Sequence, residues 1–322
     1  MLDLCRRASP AFEHAVAPLH RTGSLRALFQ AAGVPIHDLG RWRGGPGGLA
    51  LARIARLSRE FDIVHTHLWA GDVWGRLGAG LAGHRAVLAT EHNTRPEDSW
   101  RQALSVALAP LSHRVVAVSQ AARGVLLAAG VAPGRVSVIE NGVDLSRFRP
   151  APRPQGQVRT VLAIGRLVPQ KGFDLLVQAM AELPELELLI VGEGPDASRL
   201  RGPRIALRGW VSDVPALLAQ AELLVVPSRW EGFGLVAVEA MAAGVPLIAS
   251  DVPGLREVLG EAAVRVPPGD VGALAEAIRA VGADPERRCR MQEEGLRQAA
   301  RFRIERCVED YERLYAELLT AS

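Results

Sequence analysis

The sequence predicts an α/β protein made of two successive parallel-sheet units. Three observations carry this. Strand-like and helix-like runs alternate along the chain, the alternation occurs twice, and a stretch rich in proline and glycine separates the two series. In the first series VPIHDL, FDIVHTH, RAVLATE, RVVAVS and RVSVIE are short strand-like runs. Between them lie segments of helical length rich in Ala and Leu. Residues 141–157, NGVDLSRFRPAPRPQGQ, break the rhythm with an Asn-Gly turn and clustered prolines, as a linker does. The alternation resumes with TVLAIG, LELLIVG, RIALRGW, ELLVVP, VPLIAS and AAVRVP, and helical sequence follows from residue 270 to the end. A chain of 322 residues also favours two domains over one. The boundaries are read as residues 1–143, a linker at 144–157, a second domain at 158–303, and a final helix at 304–322.

Composition narrows the function classes. With 48% hydrophobic and 23% charged residues the chain is globular, and no apolar run reaches the roughly 18 residues of a membrane span. MLDLCRRASP lacks the apolar region of a secretory leader, so a cytoplasmic protein is expected. Cys5, Cys289 and Cys307 are scattered and odd in number, which suits reduced thiols better than a disulfide framework or a metal site. Residues 1–150 hold 18 Arg against 11 acidic residues, a net of +7, whereas the remainder is net negative. A basic first half suits an anionic membrane face or an acidic acceptor; solvated helix faces in an Arg-rich chain are the alternative. Aromatic residues are only 5% and no nucleic-acid motif is present, so nucleic acid is not an expected partner.

Two segments carry the chemistry. In SRWEGFGLVAVEAMAAGVPLIASD, residues 228–251, the run LLVVP before it reads as a strand, GFG as a turn, LVAVEAMAA as a helix and VPLIAS as the next strand. Glu231 thus falls at the carboxyl end of a strand, and Glu239 about two turns later on a helix otherwise of Ala, Val, Leu and Met. An unpaired charge there would cost several kcal/mol, which a ligand could offset; a surface Glu231 and a solvated Glu239 form the plainer reading. The second segment is GRLVPQKGFD, between the strand TVLAIG and the helix FDLLVQAMAEL. Of 38 basic residues only Lys171 is lysine, so the chain keeps one compact, flexible point charge among planar guanidiniums, unless it survives by chance. Arg166 and Lys171 lie at a strand's carboxyl edge beside a helix N-terminus, where two cations could neutralise a diphosphate without a metal. In VGEGPD, Gly192 and Gly194 follow a strand where backbone can approach a ligand. His65 and His67 share one strand face, as two metal ligands do, but no third ligand is apparent and a satisfied structural pair is the preferred reading.

EGFGLVAVEAMAAGVPLIASD resembles the E-x7-E signature of the retaining nucleotide-sugar glycosyltransferases of family four, the group 1 glycosyltransferases. The resemblance implies two Rossmann-like domains facing across a cleft, the GT-B type. It also implies that Glu231 faces the donor sugar, that Glu239 holds the nucleotide ribose, and that Gly232, Phe233, Gly234 and Leu235 offer backbone N–H groups at a helix start. GRLVPQKGFD is similar to the family's diphosphate-binding loop, which gives Arg166 and Lys171 that role. LRGWVSDVPALL resembles the segment that contacts the nucleobase through backbone, at Val211; Trp210 beside it could help line that pocket, with core packing the preferred role for a lone Trp. LATEHNT places His92 where the family has a histidine hydrogen-bonded to the donor sugar. ENGVDLSRFRP resembles the interdomain segment, and the family's last helix typically crosses back to the first domain. The absence of D-x-D, used by metal-dependent sugar transferases of another fold, agrees with a site without a metal.

The expected function is retaining, metal-independent transfer of a sugar from a nucleotide-diphosphate donor to an acceptor hydroxyl, in cell-surface glycan or glycolipid synthesis. No cofactor is expected, the nucleotide sugar being a substrate. The acceptor is a glycan or lipid-linked molecule, and peripheral contact with the inner membrane face is compatible with it. Against the family pattern, the chain starts inside the first helix, without the first strand and glycine-rich loop, which makes FEHAVAPL the family's second strand and SLRALFQAAG its second helix, so an incomplete N-terminal domain is expected from either a late start codon or a truncation. Two alternatives stay open, a nucleotide-sugar 2-epimerase and a truncated, noncatalytic nucleotide-binding protein.

Overall fold

The structure is a computed structural model and describes residues 1–19, 25–40, 48–94, 99–150 and 156–320. The chain divides into two compact units, Met1–Gly142 with Ile304–Ser322, and Val143–Arg303. Within the stretch read as linker, residues 151–155 lie outside the described residues.

The first unit contains α1 (Leu2–Arg7), α2 (Leu25–Ala31), α3 (Gly48–Ser58), β1 (Val64–His67), α4 (Leu68–Leu81), β2 (Val87–Glu91), α5 (Ser99–Ala107), β3 (Arg114–Ala117), α6 (Gln120–Ala128) and β4 (Val136–Val138). Among the described residues its four strands pair in chain order and in parallel. FEHAVAPL and VPIHDL, both expected as strands, meet only in one parallel bridge, Val16 with Ile36. The Val16 N–H donates to the Pro35 carbonyl (2.9 Å) and the His37 N–H to the Val16 carbonyl (2.8 Å), and the pairing goes no further. Two parallel segments alone gain too few ladder bonds to propagate.

The second unit contains β5 (Thr160–Ile164), α7 (Phe173–Met180), β6 (Glu187–Val191), β7 (Ile205–Arg208), α8 (Val214–Ala219), β8 (Leu223–Val226), α9 (Leu235–Ala242), β9 (Leu247–Ser250), α10 (Pro253–Leu259), β10 (Val264–Val266), α11 (Val271–Ala283) and α12 (Pro285–Ala299). The last helix, α13 (Ile304–Thr320), belongs to the first unit. All pairings in this sheet are parallel, in the order β10-β9-β8-β5-β6-β7. The chain builds outward from β5 in one direction, then returns to β8 and builds outward in the other. The order therefore reverses between β5 and β8, and in open α/β sheets ligands bind at the carboxyl end of such a switch point.

Local chemistry explains these elements. Every residue of β8 and β9 is buried, as expected for interior strands covered on both faces, whereas the edge strand β7 is mostly exposed and ends in Arg208. Asp213, Asp270 and Asp284 cap α8, α11 and α12 by accepting the N–H of Ala216, Ala273 and Arg287. Buried Arg288 donates to the Val281 and Gly282 carbonyls (2.9 and 2.7 Å), placing a cation at the C-terminus of α11. In the first unit the amphipathic α13 buries Ile304, Val308, Tyr311, Leu314, Tyr315 and Leu318 in one core with Leu88 and Val116 of the sheet. The second core gathers Val161, Leu176, Leu188, Ile190, Leu223, Val225, Ile248 and Ile278. Leu223 is fully buried on interior β8, so Leu223→Ala should cost about 2–5 kcal/mol. The expected outcome is a lower urea midpoint for the second unit, followed by circular dichroism.

Candidate active site

The switch point of the second unit brings the two chemistry-bearing segments together. After β5 the chain forms a short 3-10 turn, Pro169–Lys171, and enters α7 through Gly172 in the left-handed conformation (φ 64°, ψ 22°). A Cβ at Gly172 would collide with the carbonyl oxygen of Pro227 at the end of β8, so only glycine lets the two loops approach. Lys171 forms an ion pair and hydrogen bond with Glu231 Oε1. The Ser228 hydroxyl donates to the same oxygen (2.9 Å). Glu231 is 5% exposed, so its charge is held by a cation and a hydroxyl rather than by bulk water. The surface reading of Glu231 is thereby excluded.

The other sequence-derived residues take distinct positions. Arg166 is exposed in the same loop as Lys171. Gly194 packs its backbone against the Leu167 carbonyl, and the Leu167 N–H donates to the Glu193 carbonyl (2.8 Å), which joins the loops after β5 and β6. The Trp210 N–H reaches the Glu193 carboxylate (3.3 Å), adding the loop after β7 that carries half-buried Val211. Trp210 itself is 58% exposed, which corrects the expected core role: it follows β7, the edge strand of the sheet. Gly232, Phe233 and Gly234 are buried; the Phe233 ring packs edge-to-face on Phe302 (5.4 Å), so only its backbone is available to a ligand. Gly234 precedes α9 with φ 95° and provides no side-chain cap. Leu235 is 44% exposed, and Glu239, one turn further along α9, is half-buried.

Sequence reasoning missed several partners. Ser228 lies three residues before Glu231, and the spacing alone does not announce a hydrogen bond. Arg229 pairs with both oxygens of Asp174 (2.7 Å each). The α10 residue Gly254 lies so close to the Glu231 carbonyl that an added Cβ would collide with it. The Ser and the Gly stand in plain view in SRWEG and VPGL, but neither belongs to a local pattern that marks a site.

In the first unit His65, His67 and His92 cluster at the carboxyl ends of β1 and β2. The His65 ring contacts the hydroxyls of Tyr315 (2.8 Å) and Thr90 (2.7 Å), and Thr90 also meets Tyr311 (3.3 Å). His67 Nδ1 and His92 Nε2 are 3.2 Å apart, and the His65 and His67 rings lie 4.0 Å apart. Both nitrogens of His65 are thus engaged by hydroxyls, as a satisfied structural histidine requires. Among the described residues no group of three His, Cys, Asp or Glu is placed to hold a metal ion. Burial, with smaller contributions from neighbouring charges, lowers His65 to about 3 and His92 to about 4, and holds His67 well below its ordinary value. At neutral pH these are uncharged imidazoles, able to donate and accept hydrogen bonds but not to supply positive charge. Burial also pushes the adjacent Glu91 up to about 7.

Comparison with known proteins gives the family. Residues 3–147 match the family model described as Glycosyltransferase Family 4, and residues 158–284 match the model described as Glycosyl transferases group 1. A D-inositol 3-phosphate glycosyltransferase from Catenulispora acidiphila is 31% identical over 300 residues, covering 78% of this chain and 71% of the relative. This chain belongs to the group 1 glycosyltransferases. A second relative of this glycosyltransferase is the Escherichia coli UDP-Gal:alpha-D-GlcNAc-diphosphoundecaprenol alpha-1,3-galactosyltransferase, 30% identical over 228 residues, or 61% of this chain and 59% of that one. Its fold is the GT-B class: the structure of Anabaena Alr3699/HepE in complex with UDP-glucose superposes with a TM-score of 0.86 at 23% identity, covering 100% of this chain and 94% of that one.

The histidine cluster sets a pH dependence. An unfolded histidine takes up a proton near 6.5, whereas folded His65 and His92 resist until about 3 and 4. Below pH 6.5 the unfolded state binds more protons, so stability falls as pH drops toward 4. Glu91 acts oppositely, because its folded form holds a proton up to about 7. The histidines outnumber it, and urea unfolding of the first unit should show lower stability at pH 5 than at pH 7.5. His65→Gln should flatten the difference.

Proposed function

We propose that this glycosyltransferase moves a sugar from a nucleotide-diphosphate donor to an acceptor hydroxyl with retention at the anomeric carbon and without a metal ion. The Lys171–Glu231 pair at the switch point of the second sheet carries this reading. It puts a cation suited to a leaving diphosphate beside a carboxylate suited to sugar hydroxyls. As the bond from the anomeric carbon to the phosphate oxygen breaks, negative charge builds on the leaving group, and Lys171 with Arg166 stabilises it. The acceptor oxygen attacks from the face the diphosphate leaves, and its proton passes to a leaving phosphate oxygen. Glu231 orients the sugar and need not act as a nucleophile. Glu239 binds the ribose, the backbone of Gly232 to Leu235 meets polar ligand oxygens at the start of α9, and the backbone at Gly194 and Val211 borders the nucleotide. His92, an uncharged imidazole, is the hydrogen-bonding group toward the sugar.

The relatives suggest two acceptor classes, an inositol phosphate and a lipid diphosphate-linked sugar, both anionic. The net +7 of residues 1–150 suits either, and suits peripheral work at the inner membrane face in cell-surface glycan or glycolipid synthesis. No described helix is long and apolar enough to cross a membrane. The transferase names of the relatives do not favour the epimerase or the noncatalytic reading.

Calorimetric titration with UDP, GDP and ADP in the absence of added metal tests the donor site. One nucleotide should bind, and Lys171→Ala should weaken it at least about tenfold, the loss of a charge-assisted contact. No binding by any of the three would overturn the donor assignment. Glu231→Ala should lower kcat by at least about a hundredfold, in the range of a lost transition-state contact, while leaving nucleotide affinity largely intact. Transfer is followed from the matching nucleotide sugar, with inositol 3-phosphate and a lipid-linked diphosphate sugar as first acceptors. Unchanged turnover would remove Glu231 from the site.

A further inference from the structure

β5 and β8 are neighbours, yet their ladder holds only Val161 with Leu223 and Leu162 with Leu224. The strands themselves continue to Ile164 and Val226. Pairing therefore stops before the carboxyl ends, so the sheet by itself does not fix the spacing between the loop that carries Lys171 and the loop that carries Glu231. Bonds centred on Arg229 span the gap. Its backbone N–H donates to the Gln170 carbonyl (2.8 Å), and the Gln170 side-chain amide donates back to the Trp230 carbonyl (3.1 Å). The Arg229 guanidinium donates to the Pro169 carbonyl (2.8 Å) and, bidentately, to both oxygens of Asp174 (2.7 Å each).

We infer that Arg229 is a positioning residue: through Asp174 and the Pro169 carbonyl it clamps the Pro169–Lys171 turn to the β8 loop and so sets the Lys171 ammonium against Glu231. The fork of a guanidinium fits this task, since it reaches a carboxylate with two N–H groups and a carbonyl with the same nitrogen, which an ammonium on a flexible stem does not reproduce. Asp174 lies in the first turn of α7, where a carboxylate is favoured, and its hydrogen bonds with Arg229 hold its carboxyl below the ordinary value. Arg229 and Asp174 are 33% and 47% exposed, and ion pairs that solvent screens to this degree add little to global stability. The pair sits between the two loops of the site, so its effect is local geometry.

The inference takes Lys171 as the donor-site cation proposed above, and the experiment reads the clamp separately from that assignment. Lys171 is the sole lysine of the chain, so 13C-lysine labelling of the full protein yields a single Cε methylene signal that reports its ion pair. Arg229→Ala, Arg229→Lys and Asp174→Asn should each move that signal in the same direction. Arg256→Ala, which breaks the exposed pair with Asp251, should leave it in place. Urea midpoints of all four variants should stay near wild type, which a general loss of structure would not allow. UDP, or whichever of the three nucleotides binds, should bind Arg229→Ala about tenfold more weakly, and Arg229→Lys should not rescue it. An unmoved Lys171 signal in Arg229→Ala overturns the clamp, as does rescue by lysine. If none of the three nucleotides binds wild type while the Lys171 signal still responds to Arg229→Ala, the donor assignment fails and the clamp stands.

Discussion

The chemistry of the second unit depends on one constraint, the parting of β5 from β8 at the point where the strand order reverses. Continued ladder bonds would close the carboxyl edge with paired backbone. Instead ladder pairing ends at Leu162 and Leu224, and the loops beyond are tied by one backbone hydrogen bond from Arg229 to Gln170, by side chains and by a close backbone approach at Gly172. That exchange keeps the two loops in register without a continuous ladder. It also bears on the buried carboxylate there: Glu231 leaves water but gains an ammonium and a hydroxyl, which offset part of the cost of burying its charge.

The first unit solves a different problem with neutral groups. Three imidazoles, two phenols and a threonine hydroxyl share a confined space at the ends of β1 and β2. Burial keeps the imidazoles unprotonated and raises Tyr311 and Tyr315, so every member stays uncharged and can pass hydrogen bonds along. Because the tyrosines come from α13, the last helix of the chain completes the polar network as well as the apolar core beneath it. A sugar hydroxyl meeting His92 would find a donor or acceptor of fixed position with no net charge, which suits a neutral ring better than a phosphate.

Much of the second unit was legible in the sequence because its information is local. Apolar runs such as LLVVP and VPLIAS are strands by length and composition, and the observed β8 and β9 fall inside them. The first unit was less legible at its start, where FEHAVAPL and VPIHDL have strand composition but reduce to a single bridge. Strand propensity does not reveal whether a neighbour exists to complete a ladder, and parallel pairing needs several neighbours. Trp210 departs from its expected core role for a similar reason, since a large apolar residue marks a core only where another layer covers it.

The sequence by itself determined the α/β class, the twofold alternation, the lone lysine and the pair of glutamates around a glycine turn, since each is written in residues close together along the chain. Tertiary structure alone decided the partners. Lys171 and Glu231 are 60 residues apart, Arg229 and Asp174 55, and His65 and Tyr315 250. Periodicity and propensity act over a few turns of chain, whereas contacts across such separations follow from the fold: the reversal between β5 and β8 joins the two charged pairs, and the packing of α13 on the first sheet brings Tyr315 to His65.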